Sequence, residues 1–174
     1  SLNSRYISKT IVSSDDEEIL DISKKYGAEI IRRPDNLAND TATSESAVKH
    51  AIDFLKSIGE EFDIIVLLQP TSPLRTSKDI DKAFEAMSNS SATAVISMYK
   101  YDSKILKAFT KKSNGFLQGV SDNKSPFMRR QDLPVTYMGN GAIYIIMVSE
   151  FMKKMCFLTD RTAPYIMDVT KSLD

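Results

Sequence analysis

Apolar and polar positions along the chain fall into a rhythm of short strands and amphipathic helices. Residues 9–13 (Lys-Thr-Ile-Val-Ser) predict a short buried strand, and the acids Asp15, Asp16, Glu17 and Glu18 belong in the first turn of a helix running toward Gly27. Ser14 and Asp15 read equally well as the cap of that helix and as site residues. Gly27 stops the helix, residues 28–32 supply the next strand, and Pro34 imposes an extended loop that lasts to Thr43. From there to Gly59, apolar residues at Ala47, Val48, Ala51, Phe54 and Leu55 mark one buried helical face, with Thr43 or Ser44 as its cap.

Residues 63–68 are continuously apolar after Asp63, the pattern of a strand covered on both faces, and predict the central strand of a sheet. A helix over 77–87 and a strand over 93–98 continue an alternation that predicts an α/β fold with a mostly parallel sheet and right-handed crossovers. Between residues 100 and 137 the pattern breaks into short β-like pieces with a turn at Ser113-Asn-Gly115, as in an insertion that leaves the domain body. The core pattern returns over 142–147, followed by a short helix over 149–154 and a tail containing Pro164.

Composition narrows the partners. At 174 residues with 42% hydrophobic content, the chain is sized for one globular domain with one sizeable core. Its 23 basic and 23 acidic residues balance without blocks of like charge, which points away from nucleic acid and acidic membranes and toward a small partner. One cysteine, Cys156, has no partner for an internal disulfide, and no Cys/His cluster has zinc-ligand spacing, so the cytoplasm is the expected compartment. No apolar run is long enough to span a bilayer.

In open α/β sheets, ligands bind beyond the carboxyl ends of the strands, where this chain places polar residues. Gln69-Pro-Thr-Ser-Pro-Leu-Arg75 leaves the apolar strand with two prolines that restrict its backbone, holding Gln69 and two hydroxyls in place. Tyr137-Met-Gly-Asn-Gly-Ala142 joins two flexible glycines to an asparagine that both donates and accepts; a ligand-facing segment and a plain turn both fit. Arg32 and Arg33 fit a site or a charged surface. His50, the single histidine, stands mid-helix without a neighbouring acid or nucleophile and is left to packing or surface. Cys156 reads as a small apolar residue.

Five collinear segments carry a resemblance: Val12-Ser-Ser-Asp-Asp-Glu-Glu-Ile19, Arg33-Pro-Asp-Asn-Leu-Ala-Asn-Asp-Thr-Ala42, Leu68-Gln-Pro-Thr-Ser-Pro-Leu-Arg75, Arg130-Gln-Asp-Leu-Pro134 and Asn140-Gly-Ala-Ile-Tyr144. In order and spacing they resemble the signatures of the CMP-N-acylneuraminate synthetases. The resemblance implies a Rossmann-like nucleotidyltransferase fold and transfer of CMP from CTP to the anomeric hydroxyl of a nonulosonic acid, N-acylneuraminate (sialic acid) or legionaminate, with release of pyrophosphate. It further implies Mg2+ or Mn2+ as cofactor. The octulosonate enzymes fit less well, because residues 36–43 lack their His-Ser-Gly-Thr run.

By motif position the resemblance implies nucleotide-base contacts from Arg33 and Ser44, and sugar contacts from Gln69, Asn140, Tyr144, Phe157 and Leu158. Arg130 matches a catalytic arginine on an insertion, residues 100–137, that in this family dimerises and completes the neighbouring active site, so a homodimer is implied. Asp174 matches the first carboxylate of the family's metal-holding Asp-x-Asp motif, and the family's glycine- and lysine-rich triphosphate loop has no counterpart in these residues. The 174-residue segment alone is therefore expected to be inactive. A non-catalytic homologue that binds ligand or dimerises, and a same-fold nucleotidyltransferase for another sugar, are the alternatives.

Overall fold

The computed structural model describes residues 1–39 and 41–172. Near the start, β1 (Ile11–Ser14) and β2 (Glu29–Arg32) pair in parallel, joined by α1 (Glu17–Lys25). Asp16 caps α1, its Oδ1 accepting the Ile19 amide at 3.1 Å, while Ser14 Oγ accepts the Asp16 amide at 3.1 Å. The cap preferences of these short polar side chains thus set the helix start.

The main sheet holds β3 (Ile64–Leu67), β4 (Ala94–Tyr101), β7 (Thr136–Met147) and β8 (Thr162–Ile166) in the order β3-β7-β4-β8. It is mixed: β4 and β8 run parallel, while β7 lies antiparallel between β3 and β4. β3, expected at the centre, is an edge strand of this sheet among the described residues. Its apolar run reports cover on both faces and is silent about which strands lie beside it. β8 was missed because Pro164 interrupts the pattern; the strand pairs with β4 alone, and an edge position tolerates proline.

Two helical layers cover the sheet, and strand alternation divides the core between them. On one face α3 (Ser77–Ser90) packs Ile80, Ala83, Phe84 and Met87 against Val95, Ile143 and Ile145. On the other, Val48 and Ile52 of α2 (Ser44–Ser57) and Phe151 of α4 (Val148–Lys154) cover Ala94, Tyr144 and Ile146. Of the two candidate caps for α2, Thr43 serves, its hydroxyl accepting the Ser46 amide at 3.2 Å. α3 begins with a reciprocal capping box between Thr76 and Asp79.

Asp79 also receives the Tyr165 hydroxyl at 3.1 Å and the Lys171 ammonium at 3.1 Å, tying β8 and the following turn to the helix start. Burial by itself would raise the Asp79 carboxyl, but bonds from Thr76, Lys171 and Tyr165 outweigh it and hold the group below its ordinary value. The Tyr165 phenol is pushed up to about 12 by burial and then by the Asp79 charge.

The segment between β4 and β7 carries a small antiparallel hairpin, β5 (Phe109–Lys111) with β6 (Leu117–Gly119), and three short 3-10 turns. Gly119 is required there, since a Cβ would lie 2.0 Å from the Asp122 carbonyl oxygen. No helix among the described residues is long and apolar enough to cross a membrane.

Candidate active site

The Tyr137–Ala142 stretch is part of β7 rather than a free turn, and it distorts the ladder. Ile96 pairs with Tyr144 and Met98 with Gly139, so only Ser97 stands opposite the four residues 140–143. Ser97 Oγ fills this bulge, donating to Asn140 Oδ1 at 2.6 Å and accepting the Ile143 amide at 2.7 Å.

Asn140 is 1% exposed and its amide is committed within the protein. Besides Ser97, Oδ1 accepts the Ala142 amide at 3.2 Å, while Nδ2 donates to Ser172 Oγ at 3.0 Å and lies 3.3 Å from Met167 Sδ. The residue expected to contact the sugar is thus an internal tie, because the bulge turns its side chain inward.

Gln69 lies above the bulge. The Arg75 guanidinium donates from one nitrogen to the Gln69 carbonyl at 2.5 Å and the Ser72 carbonyl at 2.8 Å, closing the proline-rich loop on itself. Burial lowers the Arg75 pKa from its ordinary value. Ser72, 1% exposed, donates to the Asn140 carbonyl at 2.9 Å. Gly141 has φ +67°, and a Cβ there would stand 2.5 Å from Gln69 Oε1, so the glutamine amide rests directly on the glycine.

A cavity of about 230 Å³ opens beside Gln69. Leu67, Gln69 and Ile96 line it from the strand side, and Ser44 and Glu45 from the start of α2. Tyr144, Cys156, Phe157 and Leu158 complete it. Phe157 is 7% exposed, its ring centroid 5.4 Å from Tyr144 and 5.2 Å from Phe151, whereas Leu158 is 61% exposed. The structure therefore brings together Ser44, Gln69, Tyr144, Phe157 and Leu158. Cys156, read as a small apolar residue, is exposed.

The other expected residues lie elsewhere. Arg33 is not part of the cavity lining. One of its terminal nitrogens reaches Asp15 Oδ1 at 3.4 Å, and its buried Nε has no partner among the described residues. Arg130 bonds Asp102 at 3.3 Å beside a separate concavity that also includes Lys100, Tyr101 and Ser103. Asp174 lies outside the described residues. Among the described residues no group of three or more His, Cys, Asp or Glu side chains is placed to hold a metal ion. His50 stays in α2, its Nδ1 buried without a partner.

Residues 1–172 match the family model described as cytidylyltransferase. The chain belongs to that family. Among its relatives, the pseudaminic acid cytidylyltransferase of Campylobacter jejuni is 33% identical over 82% of this chain and 62% of its own length. The N-acylneuraminate cytidylyltransferase of Escherichia coli is 31% identical over 99% of this chain and 40% of its own. This cytidylyltransferase chain thus spans less than two thirds of either relative. The solved CMP:2-keto-3-deoxy-manno-octonic acid synthetase complexed with CTP matches 95% of this chain and 75% of its own, with a TM-score of 0.59 and 10% identity. That likeness supports the nucleotidyltransferase fold.

One lining residue was not among those expected from the sequence. Glu45 looks like an ordinary first-turn acid of a helix, and no spacing rule places it in a cavity. Arg75 closes the heptapeptide it ends, for which the conformational restriction of two prolines was the available signal.

Proposed function

We propose that the protein containing this chain transfers CMP from CTP to the anomeric hydroxyl of an N-acylated nonulosonic acid, releasing pyrophosphate. The supporting observation is the cavity in which the Gln69 amide, held by Arg75 and supported by Gly141, faces the aromatic wall of Tyr144 and Phe157. An amide beside an apolar wall suits a sugar that carries hydroxyls and an acyl group. The named relatives act on pseudaminic acid and on N-acylneuraminate, so pseudaminic acid joins N-acylneuraminate and legionaminate as a candidate sugar. Attack at the α-phosphate builds charge on non-bridging oxygens and pyrophosphate, so alignment and electrostatic stabilisation carry the chemistry. The reading includes Mg2+ or Mn2+, with Asp174 as a ligand, and a cytoplasmic location.

In this reading Arg33 donates to the cytosine carbonyl and Ser44 makes a second base contact. The Nε of Arg33, unpartnered among the described residues, and the position of Ser44 on the cavity edge support it. Pyrophosphate release by the protein encoded in the complete open reading frame, measured with CTP and a panel of nonulosonic acids, is the direct test. Release with none of them refutes the transfer. Arg33→Ala is expected to raise the KM for CTP by about 10-fold, and that for UTP alike, since the ring carbonyl it donates to is common to both bases. An unchanged KM for CTP removes Arg33 from the base contact.

The reading also includes a homodimer formed through residues 100–137. Phe116, Leu117 and Phe127 are 71%, 67% and 81% exposed there, an apolar surface of the kind that a second subunit covers. Arg130, exposed and paired with Asp102, would exchange that bond for an anion of the neighbouring site. Sedimentation is expected to give a dimer that Phe116→Glu with Leu117→Glu converts to a folded monomer. A wild-type monomer contradicts this part of the proposal.

A further inference from the structure

Resting on that reading, we infer that Glu45 determines which sugar substituent enters the cavity: its carboxylate accepts the N–H of an acylamino group whose acyl methyl rests on Phe157 and Leu158. A glutamate in the first turn of a helix ordinarily complements the helix dipole from the water side. Glu45 differs in being half-buried, in lining the cavity, and in having no hydrogen bond or ion pair among the described residues. Among the described residues no lysine or arginine lines the cavity, and Glu45 is the one charged side chain of that lining.

An ionised carboxylate only accepts hydrogen bonds, so what satisfies it must come from the ligand as an O–H or N–H. The apolar part of the lining selects between them. Phe157 and Leu158 present apolar surface, and an acylamino group carries an N–H donor and an apolar methyl on one substituent, where a hydroxyl offers the donor alone. The same charge repels the sugar's own carboxylate and the CTP phosphates, so the anionic ends stay outside and the sugar enters in one orientation. At about 230 Å³ the cavity suits a substituent rather than a whole nucleotide.

The test compares two sugars in the protein encoded by the complete open reading frame. One carries the natural amide and the other an ester of the same size that lacks the N–H. Calorimetric binding and pyrophosphate release are read separately. Wild type is expected to prefer the amide by about 10-fold or more in Kd and in kcat/KM, while Glu45→Ala shrinks that preference to about 2-fold and Glu45→Gln, whose neutral carbonyl still accepts, shrinks it less, with the KM for CTP unchanged in both. A preference that survives both substitutions in folded protein overturns the role of Glu45, as does a wild type with no preference. Binding that shows the Glu45 dependence without pyrophosphate release supports the contact and refutes the transferase reading.

Discussion

Replacing Asn140 by alanine is expected to lower stability by about 3 kcal/mol, because Ser97 Oγ and the Ala142 amide lose their buried partner together. For a chain of this size that is a fall in Tm of roughly 6–12 °C. Three parts of the chain meet at this side chain: Ser97 of β4, the bulge of β7, and Ser172 beyond the last strand. The measurement separates two roles for one residue. An internal tie shows its loss in thermal or urea unfolding, whereas a sugar ligand shows it as a raised KM with an unchanged melt. An Asn140→Ala protein that melts within about 2 °C of wild type rules out the tie.

One position along, the expected result inverts. Gly141→Ala costs about 1 kcal/mol through its positive φ, a modest shift in Tm, but its methyl takes the space of Gln69 Oε1. The obstructing atom ends a flexible side chain, so the backbone is spared and the glutamine amide moves. Displacing a substrate-positioning group by about 1 Å can reduce turnover by about 100-fold, so kcat/KM for the sugar should fall between about 10- and 100-fold. The KM for CTP should hold. A variant with wild-type sugar kinetics contradicts the placement of Gln69 against the glycine as a feature of the working site.

Adjacent residues with opposite expected consequences also explain what could be read from the sequence. The helices were legible because their signals are local: Thr43 caps α2, and Val48 and Ile52 lie on its inward face. Ser44, Gln69, Tyr144, Phe157 and Leu158 were reached through motif resemblance and converge on one cavity. Less legible was anything set by pairing between distant segments. An apolar run cannot say that β3 has β7 on one side, and Pro164 hid β8 because its edge position depends on β4. The inward turn of Asn140 depends on four residues of β7 lying opposite Ser97 alone, a register that residue types do not encode locally. Glu45 was hidden for the converse reason, since its local role as a first-turn acid was explanation enough until the fold placed Phe157 and Leu158 near it.

The ladder between β4 and β7 has a further consequence for how this molecule is assembled. Tyr101 and Thr136 form the last antiparallel pair of this ladder, so in principle a two-residue turn suffices to join them. Everything between is cargo carried at the tip of a long hairpin, whose base holds the bulge, Tyr144 and the cavity wall. Such a design is modular. Insertions, deletions and changes of surface character at the tip leave the register below Tyr101 untouched, so the face offered to another molecule can diverge while the cavity keeps its shape.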